Sequence, residues 1–200
     1  MNITASEIQH GFGKRAHNIV ALFDKTNKMS TFMRKLENQA KLDPDRYDRD
    51  KYVGDGFEFL IEIFIKTAGF DKRVNIINYE PVQSDDNGVD GVGLNALAEK
   101  CAIQIKYRSN TMQRLTANQD HLSNFIADAM FKYNIVKPED NTKIPRHYVF
   151  TTAAGLNFYT DNEMFKGYVK CYGIDDMKYF LDDNLHFWNL CRNIAKELKK

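Results

Sequence analysis

The sequence predicts a mixed α/β domain with a sheet between helices, and three observations carry that prediction. Apolar residues recur at helical spacing over 57–68 and again over 122–133. Runs of β-branched and aromatic residues, bounded by turn-forming residues, lie between and after them. Read in order, the elements are helix, helix, helix, strand, strand, strand, helix, strand, strand, helix, which suits an α/β layered arrangement. At 200 residues, 43% of them hydrophobic, the chain is long enough for one domain with a substantial core.

Two helices are expected in the first fifty residues, over about 6–23 and 30–40. Ile8, Phe12, Ile19 and Phe23 share a stripe on the first, and Phe32, Met33 and Leu36 serve the second. The stretch LDPDRYDRDKYVGDG is polar and holds Pro44 and Gly54, so it reads as a linker or exposed turn. A strong helix is expected from Asp55 as N-cap to Gly69 as terminator, with Phe57, Leu60, Ile61, Phe64, Ile65 and Ala68 on a wide apolar face. Strands are expected over 73–79, 89–94 and 101–108. The turn SDDNG precedes the second, and NALAEK joins the second to the third as a hairpin connection. Thr116 and Gln119 have capping-box spacing and open a helix whose apolar face is Leu122, Phe125, Ile126, Ala129, Met130 and Tyr133. After a loop with Pro138 and Pro145, HYVFTT reads as a buried strand and YVKCYG as a short one. The chain ends in helical segments over 174–183 and 184–198, where Trp188 reads as a packing anchor. Residues 1–50 form a helical extension and 51–200 the main domain in this division.

Composition excludes several classes. Lys and Arg number 28 against 27 Asp and Glu, so a net charge of +1 leaves no global field to steer a polyanion, and nucleic-acid affinity must come from a local patch. Cys101, Cys171 and Cys191 are odd in number, widely spaced and free of CxxC pairs, the pattern of reduced intracellular thiols rather than a zinc or redox site. No apolar run approaches the ~20 residues of a membrane span. The first residues, MNITASEIQHGFGKR, place charge where a signal peptide needs apolar sequence, so the expectation is a soluble cytoplasmic protein with no membrane partner.

The informative stretch is SDDNGVDGVGLNALAEKCAIQIKYRS. In the strand CAIQIKY, alternation puts Gln104 and Lys106 on one face and Ile103 and Ile105 on the other. An amide and an amine on a buried sheet need partners. Asp90, carried back by the hairpin, is the natural one. A carboxylate, a carbonyl oxygen and an ammonium grouped at a sheet end suit phosphodiester hydrolysis with a hard divalent ion.

The spacing D90-x13-Q104-x-K106 resembles the PD-(D/E)XK nuclease superfamily, in its Mrr-like restriction endonuclease branch, where Gln replaces the second acid. The helix GFEFLIEIFIKTAGF is similar to the family's first core helix with its Glu, here Glu58. The succession of strand, hairpin, QxK strand, helix and HYVFTT strand follows that branch over about residues 55–172. The resemblance implies a restriction-endonuclease-like mixed sheet flanked by helices and a Mg²⁺-dependent DNA endonuclease, with Mn²⁺ as substitute ion. It makes Asp90 the principal metal carboxylate, Gln104 the second ligand or a contact to metal-bound water, and Ile105 a backbone-carbonyl ligand. Lys106 would orient and help deprotonate the attacking water, leaving 5′-phosphate and 3′-hydroxyl ends, and Glu58 would reach the metal through a water. The chain departs from the superfamily's name motif in having Val89 where Pro stands and Gln104 where an acid stands.

Each residue also has a structural reading. Asp90 could serve only as a turn acid, Gln104 and Lys106 could lie on a solvated face, and Glu58 could belong to a stripe with Glu62 and Lys66. Asp85 or Asp86 could stand in for Asp90. Lys100, Lys106, Arg108 and Arg114, with no acid between 100 and 114, supply a local positive patch for DNA phosphates, or a solvated loop. His147 reads as a sheet-end histidine. Cutting both strands requires two sites, which a homodimer would supply. The competing reading is a catalytically silent domain of the same fold that binds nucleic acid or protein.

Overall fold

Strand β3, Lys100–Lys106, is buried over 101–105, which only a central strand covered on both faces can be. The computed structural model describes residues 3–42, 48–68, 73–82, 88–116, 122–137, 145–157 and 167–200. These fall into two units, 68–174 and the combination of 1–67 with 175–200. The chain is α/β, with a mixed five-stranded sheet and helices before, within and after it in sequence.

Residues 68–174 hold the sheet, in the order β1 (Ile77–Pro81), β2 (Gly91–Leu94), β3, β4 (His147–Thr151), β5 (Val169–Tyr172). β1, β2 and β3 pair antiparallel, while β3–β4 and β4–β5 are parallel. One face packs Ala102, Val149 and Val169 against Leu122 and, on α5 (Ser123–Phe131), Phe125, Ile126 and Ala129. Aromatic residues stack elsewhere on β4 and β5, with Phe150 and Tyr172 ring centroids 4.9 Å apart.

Two expectations in this unit are corrected. β1 starts at Ile77 rather than 73, after Asn75 with a left-handed φ of 53°; Asn78, also at φ 53°, lies within the strand, where the register with β2 is irregular between Ile77 and Glu80. Thr116 does not open α5. Its neighbour Leu115 bridges Leu156 in extended backbone, its N–H donating to the Gly155 carbonyl at 2.8 Å. Gln119, Pro138, the acids Asp85 and Asp86, and Gly69 lie outside the described residues.

The other unit is helical: a 3₁₀ turn (Ala5–Glu7), α1 (Phe12–Arg15), α2 (Ile19–Phe23), α3 (Met29–Leu42), α4 (Arg49–Ala68), α6 (Ile174–Leu181) and α7 (Leu185–Leu198). The single helix expected over 6–23 is broken in three, since Ala16, at φ −56° and ψ 133°, leaves the helical region and Asn18 caps α2 by accepting from the Ala21 N–H at 3.0 Å. The apolar stripe survives the break, and Ile8, Phe12, Ile19 and Phe23 are all buried. α4 begins before Asp55. Asp48 accepts from the Asp50 and Lys51 amides at 2.8 and 3.3 Å, so part of the expected linker is helix and Asp55 sits buried within it. Trp188 is fully buried beside Phe23 and Phe32 and donates to the Leu181 carbonyl.

Among the described residues no helix is long and apolar enough to cross a membrane. The three cysteines are free, and burial pushes the Cys101 thiol up to about 12.

Candidate functional site

Asp90 is brought to the end of β3 that carries Gln104, Ile105 and Lys106. Pairing of Gly91 with Ile103 ends the β2–β3 ladder, and one step further Asp90 turns its side chain onto β3. There the Asp90 carboxylate accepts from the Ile105 N–H at 2.6 Å, a short charge-assisted bond, while its own N–H donates to the Ile103 carbonyl at 2.9 Å. The acid therefore touches the backbone of the residue between Gln104 and Lys106. A carboxylate offers about four lone-pair sites, more than the Ile105 N–H takes up.

Gln104 is 2% exposed, and its Oε1 is buried without a hydrogen-bond partner among the described residues. Its Nε2 lies beside Gly88, where an added Cβ would come within 3.1 Å of it. This excludes a solvated face for Gln104. Lys106 is half-buried, and its carbonyl accepts from the Thr151 hydroxyl at 2.8 Å, which ties the end of β3 to β4. The donors at hand are a carboxylate, a carboxamide oxygen and backbone carbonyls. Such oxygen donors suit Mg²⁺ or Mn²⁺, and the orphaned Gln104 oxygen is the kind of acceptor that a hydrated ion or water satisfies.

The cations separate. Arg108 is partly buried, which lowers its pKa. Its N–H donates to the Thr152 hydroxyl at 2.6 Å and its guanidinium to the Tyr107 carbonyl. Arg114 is exposed and donates to the Leu156 carbonyl at 3.1 Å. Lys100 stands at the opposite end of β3 from Lys106, ~20 Å away at strand rise.

Glu58 belongs to the helical unit. Its Oε2 lies 3.0 Å from His10 Nε2, and Glu62, not Glu58, forms the ion pair with Lys66, at 2.7 Å. Glu62 is no solvated residue, because its fully buried carboxylate accepts from the Gln9 and His10 amides, each at 2.8 Å. His10, Asp55 and Glu58 bring donor atoms within 4.8 Å of one another. The set fits a metal poorly. His10 Nδ1 accepts from the Phe12 N–H at 3.2 Å, which places the ring proton on Nε2, and Arg15 holds Asp55 at 3.0 Å. Burial raises the Asp55 pKa and the Glu58 charge adds to that, against the pull of His10 and Arg15. The sequence did not flag His10 or Arg15, as their partners lie 48 and 40 residues away.

His147 is wholly buried. Its Nδ1 accepts from the Ala102 N–H at 3.2 Å, its Nε2 has no partner among the described residues, and burial pulls its pKa down to about 4.

No family model matches the chain, and the search of curated proteins returned no match. Among solved structures it is similar to metal-depleted Ecl18kI in complex with uncleaved, modified DNA, at 12% identity and a TM-score of 0.40, over 98% of this chain and 78% of that one. It is also similar to metal-depleted Ecl18kI in complex with uncleaved DNA, at 14% identity and a TM-score of 0.38, over 98% and 72% of the two chains. Similarity at this level carries no functional argument, and the reading of the site rests on its own residues.

Proposed function

We propose that the chain is a metal-dependent DNA endonuclease of the PD-(D/E)XK type in its Mrr-like D-QxK form, with 51–200 carrying the catalytic elements and 1–50 as a helical extension. One observation carries the reading: the Asp90 carboxylate sits on the amide of residue 105, 2.6 Å away, so the acid meets β3 between Gln104 and Lys106. In this reading Asp90, the Gln104 carboxamide oxygen and the Ile105 carbonyl hold Mg²⁺, for which Mn²⁺ substitutes. When bound, the ion supplies positive charge against the scissile phosphate and lowers the pKa of a water.

Lys106 orients the attacking water, whose oxygen bonds to phosphorus as the bond to the 3′ oxygen breaks, leaving a 5′-phosphate and a 3′-hydroxyl. Lys100, Arg108 and Arg114 neutralise DNA phosphates. Glu58 enters the reading through the family resemblance alone. Two copies, as a homodimer in the cytoplasm, would cut both strands.

The test is nicking of supercoiled plasmid in Mg²⁺ or Mn²⁺. Asp90→Ala and Lys106→Ala are each expected to lose activity by about 10²-fold or more. Equal cutting by wild type and both variants means a contaminant, and the reading falls. Binding of DNA by all three with cutting by none would establish the silent binding domain instead.

A further inference from the structure

Three buried polar atoms on or beside one face of the sheet lack partners among the described residues: Gln104 Oε1 on β3, His147 Nε2 on β4 and Asp128 Oδ2 on α5. The parallel register pairs Gln104 with Val149, so alternation puts Gln104 and His147 on the same face of adjacent strands, two residues offset. Phe125 links their surroundings. Its ring packs edge-on to His147 with centroids 5.7 Å apart, and its backbone N lies with Gln104 Nε2 beside Gly88. Asp128 follows Phe125 by three residues, one turn along α5.

The hydrogen-bonding capacities of the three atoms are complementary. His147 Nδ1 is taken by the Ala102 N–H, so the ring proton is on Nε2, a buried donor. Gln104 Oε1 and Asp128 Oδ2 are buried acceptors, although Asp128 as a whole is half-buried. One water can accept once and donate twice, which satisfies all three and matches the usual three bonds of a buried water. Folded interiors rarely leave such groups unpaired.

We propose that His147 is a positioning residue, holding the Gln104 carboxamide through one buried water that accepts from His147 Nε2–H and donates to Gln104 Oε1 and Asp128 Oδ2. The functional side of this rests on Gln104 acting at the metal site. The water takes one lone pair of Oε1 and turns the other to the ion. His147 thereby acts through Gln104 without touching substrate.

Two measurements on the wild-type chain test the arrangement itself. A high-resolution crystal structure is expected to show a water within hydrogen-bond distance of all three atoms, and long-range ¹H–¹⁵N spectra to show the proton on His147 Nε2. A dry site, or a proton on Nδ1, overturns the proposal. Mn²⁺ binding without DNA, followed by electron paramagnetic resonance, tests the consequence. His147→Phe removes the donor and is expected to weaken binding about tenfold, and His147→Asn, which keeps an acceptor and a donor, to restore most of it. Unchanged binding in His147→Phe overturns the positioning role. If Asp90→Ala also leaves Mn²⁺ binding untouched, the metal reading itself has failed, and density and tautomer alone decide the water.

Discussion

At the scale of single residues, His147 makes the firmest prediction about stability. A cationic imidazole would be buried edge-on to Phe125 and far from bulk water, and that burial pulls its pKa down to about 4, well below the ordinary value of 6.5. The folded value lies below the unfolded one, so the stabilisation is complete above about pH 6.5 and is lost as the pH falls toward 4. A depression of this size corresponds to about 3 kcal/mol. Urea unfolding at pH 7 and pH 4 should show wild type losing about that much more stability than His147→Asn, which cannot titrate. Parallel losses in the two proteins would contradict it. Glu62 makes the complementary point, since a carboxylate read as half of a surface pair is wholly buried and binds two consecutive backbone amides.

At the scale of the element, α4 holds two glycines with opposite expected effects. Nothing lies within 4 Å of a Cβ added at Gly54, whereas one at Gly56 would meet Leu36 at 2.4 Å and Phe12 at 3.0 Å. Gly54→Ala is expected to stabilise by up to about 1 kcal/mol, because a helical alanine has less backbone freedom to lose. Gly56→Ala is expected to destabilise by about 1–3 kcal/mol, as Leu36 is fully buried and has nowhere to retreat. Thermal or urea unfolding of the two variants checks both signs, and a loss in Gly54→Ala would show that its open surroundings are misread. The same helix shows why its start was misplaced: Asp48, Asp50 and Asp55 are all competent caps, and packing of Tyr52 and Val53, both buried, extends the helix back to the first.

For the whole molecule, a net charge of +1 leaves no global field to steer a polyanion, so under the proposed function DNA affinity would come from a local patch. Arg114 is exposed, with one bond to a backbone carbonyl, so its guanidinium is accessible to a phosphate. Arg114→Ala should weaken DNA binding and lower the slope of log affinity against log salt by about one. An unchanged slope would remove Arg114 from the interface. Lys100, at the far end of β3, tests the extent of the patch by the same measurement.

Periodicity and turn chemistry were sufficient to find the sheet strands, α4, α5 and the terminal helices, though not where β1, α4 and α5 begin, since each buries a stripe or face set by local spacing. The pairing of Asp90 with the Gln104–Lys106 segment was also legible, because one hairpin brings them together. Three kinds of feature were not. The breaks in the run 6–23 depend on capping and backbone angles that an unbroken apolar stripe conceals. The left-handed Asn75 and Asn78 look like ordinary strand residues in a β-branched context. The partners of Glu58 and Asp55, and the two amides that bind Glu62, come from residues 9–15, some forty or more positions away.

By itself, then, the sequence determined the α/β class, the main succession of elements and the closeness of Asp90 to the Gln104–Lys106 segment, all of which follow from local periodicity and a short hairpin. Only the tertiary structure decided which polar groups are buried, what binds Asp55, Glu58 and Glu62 of α4, and that Gln104 Oε1, His147 Nε2 and Asp128 Oδ2 lack a partner among the described residues. Hydrogen-bond satisfaction in an interior depends on what other segments bring there, and spacing along one segment does not encode it.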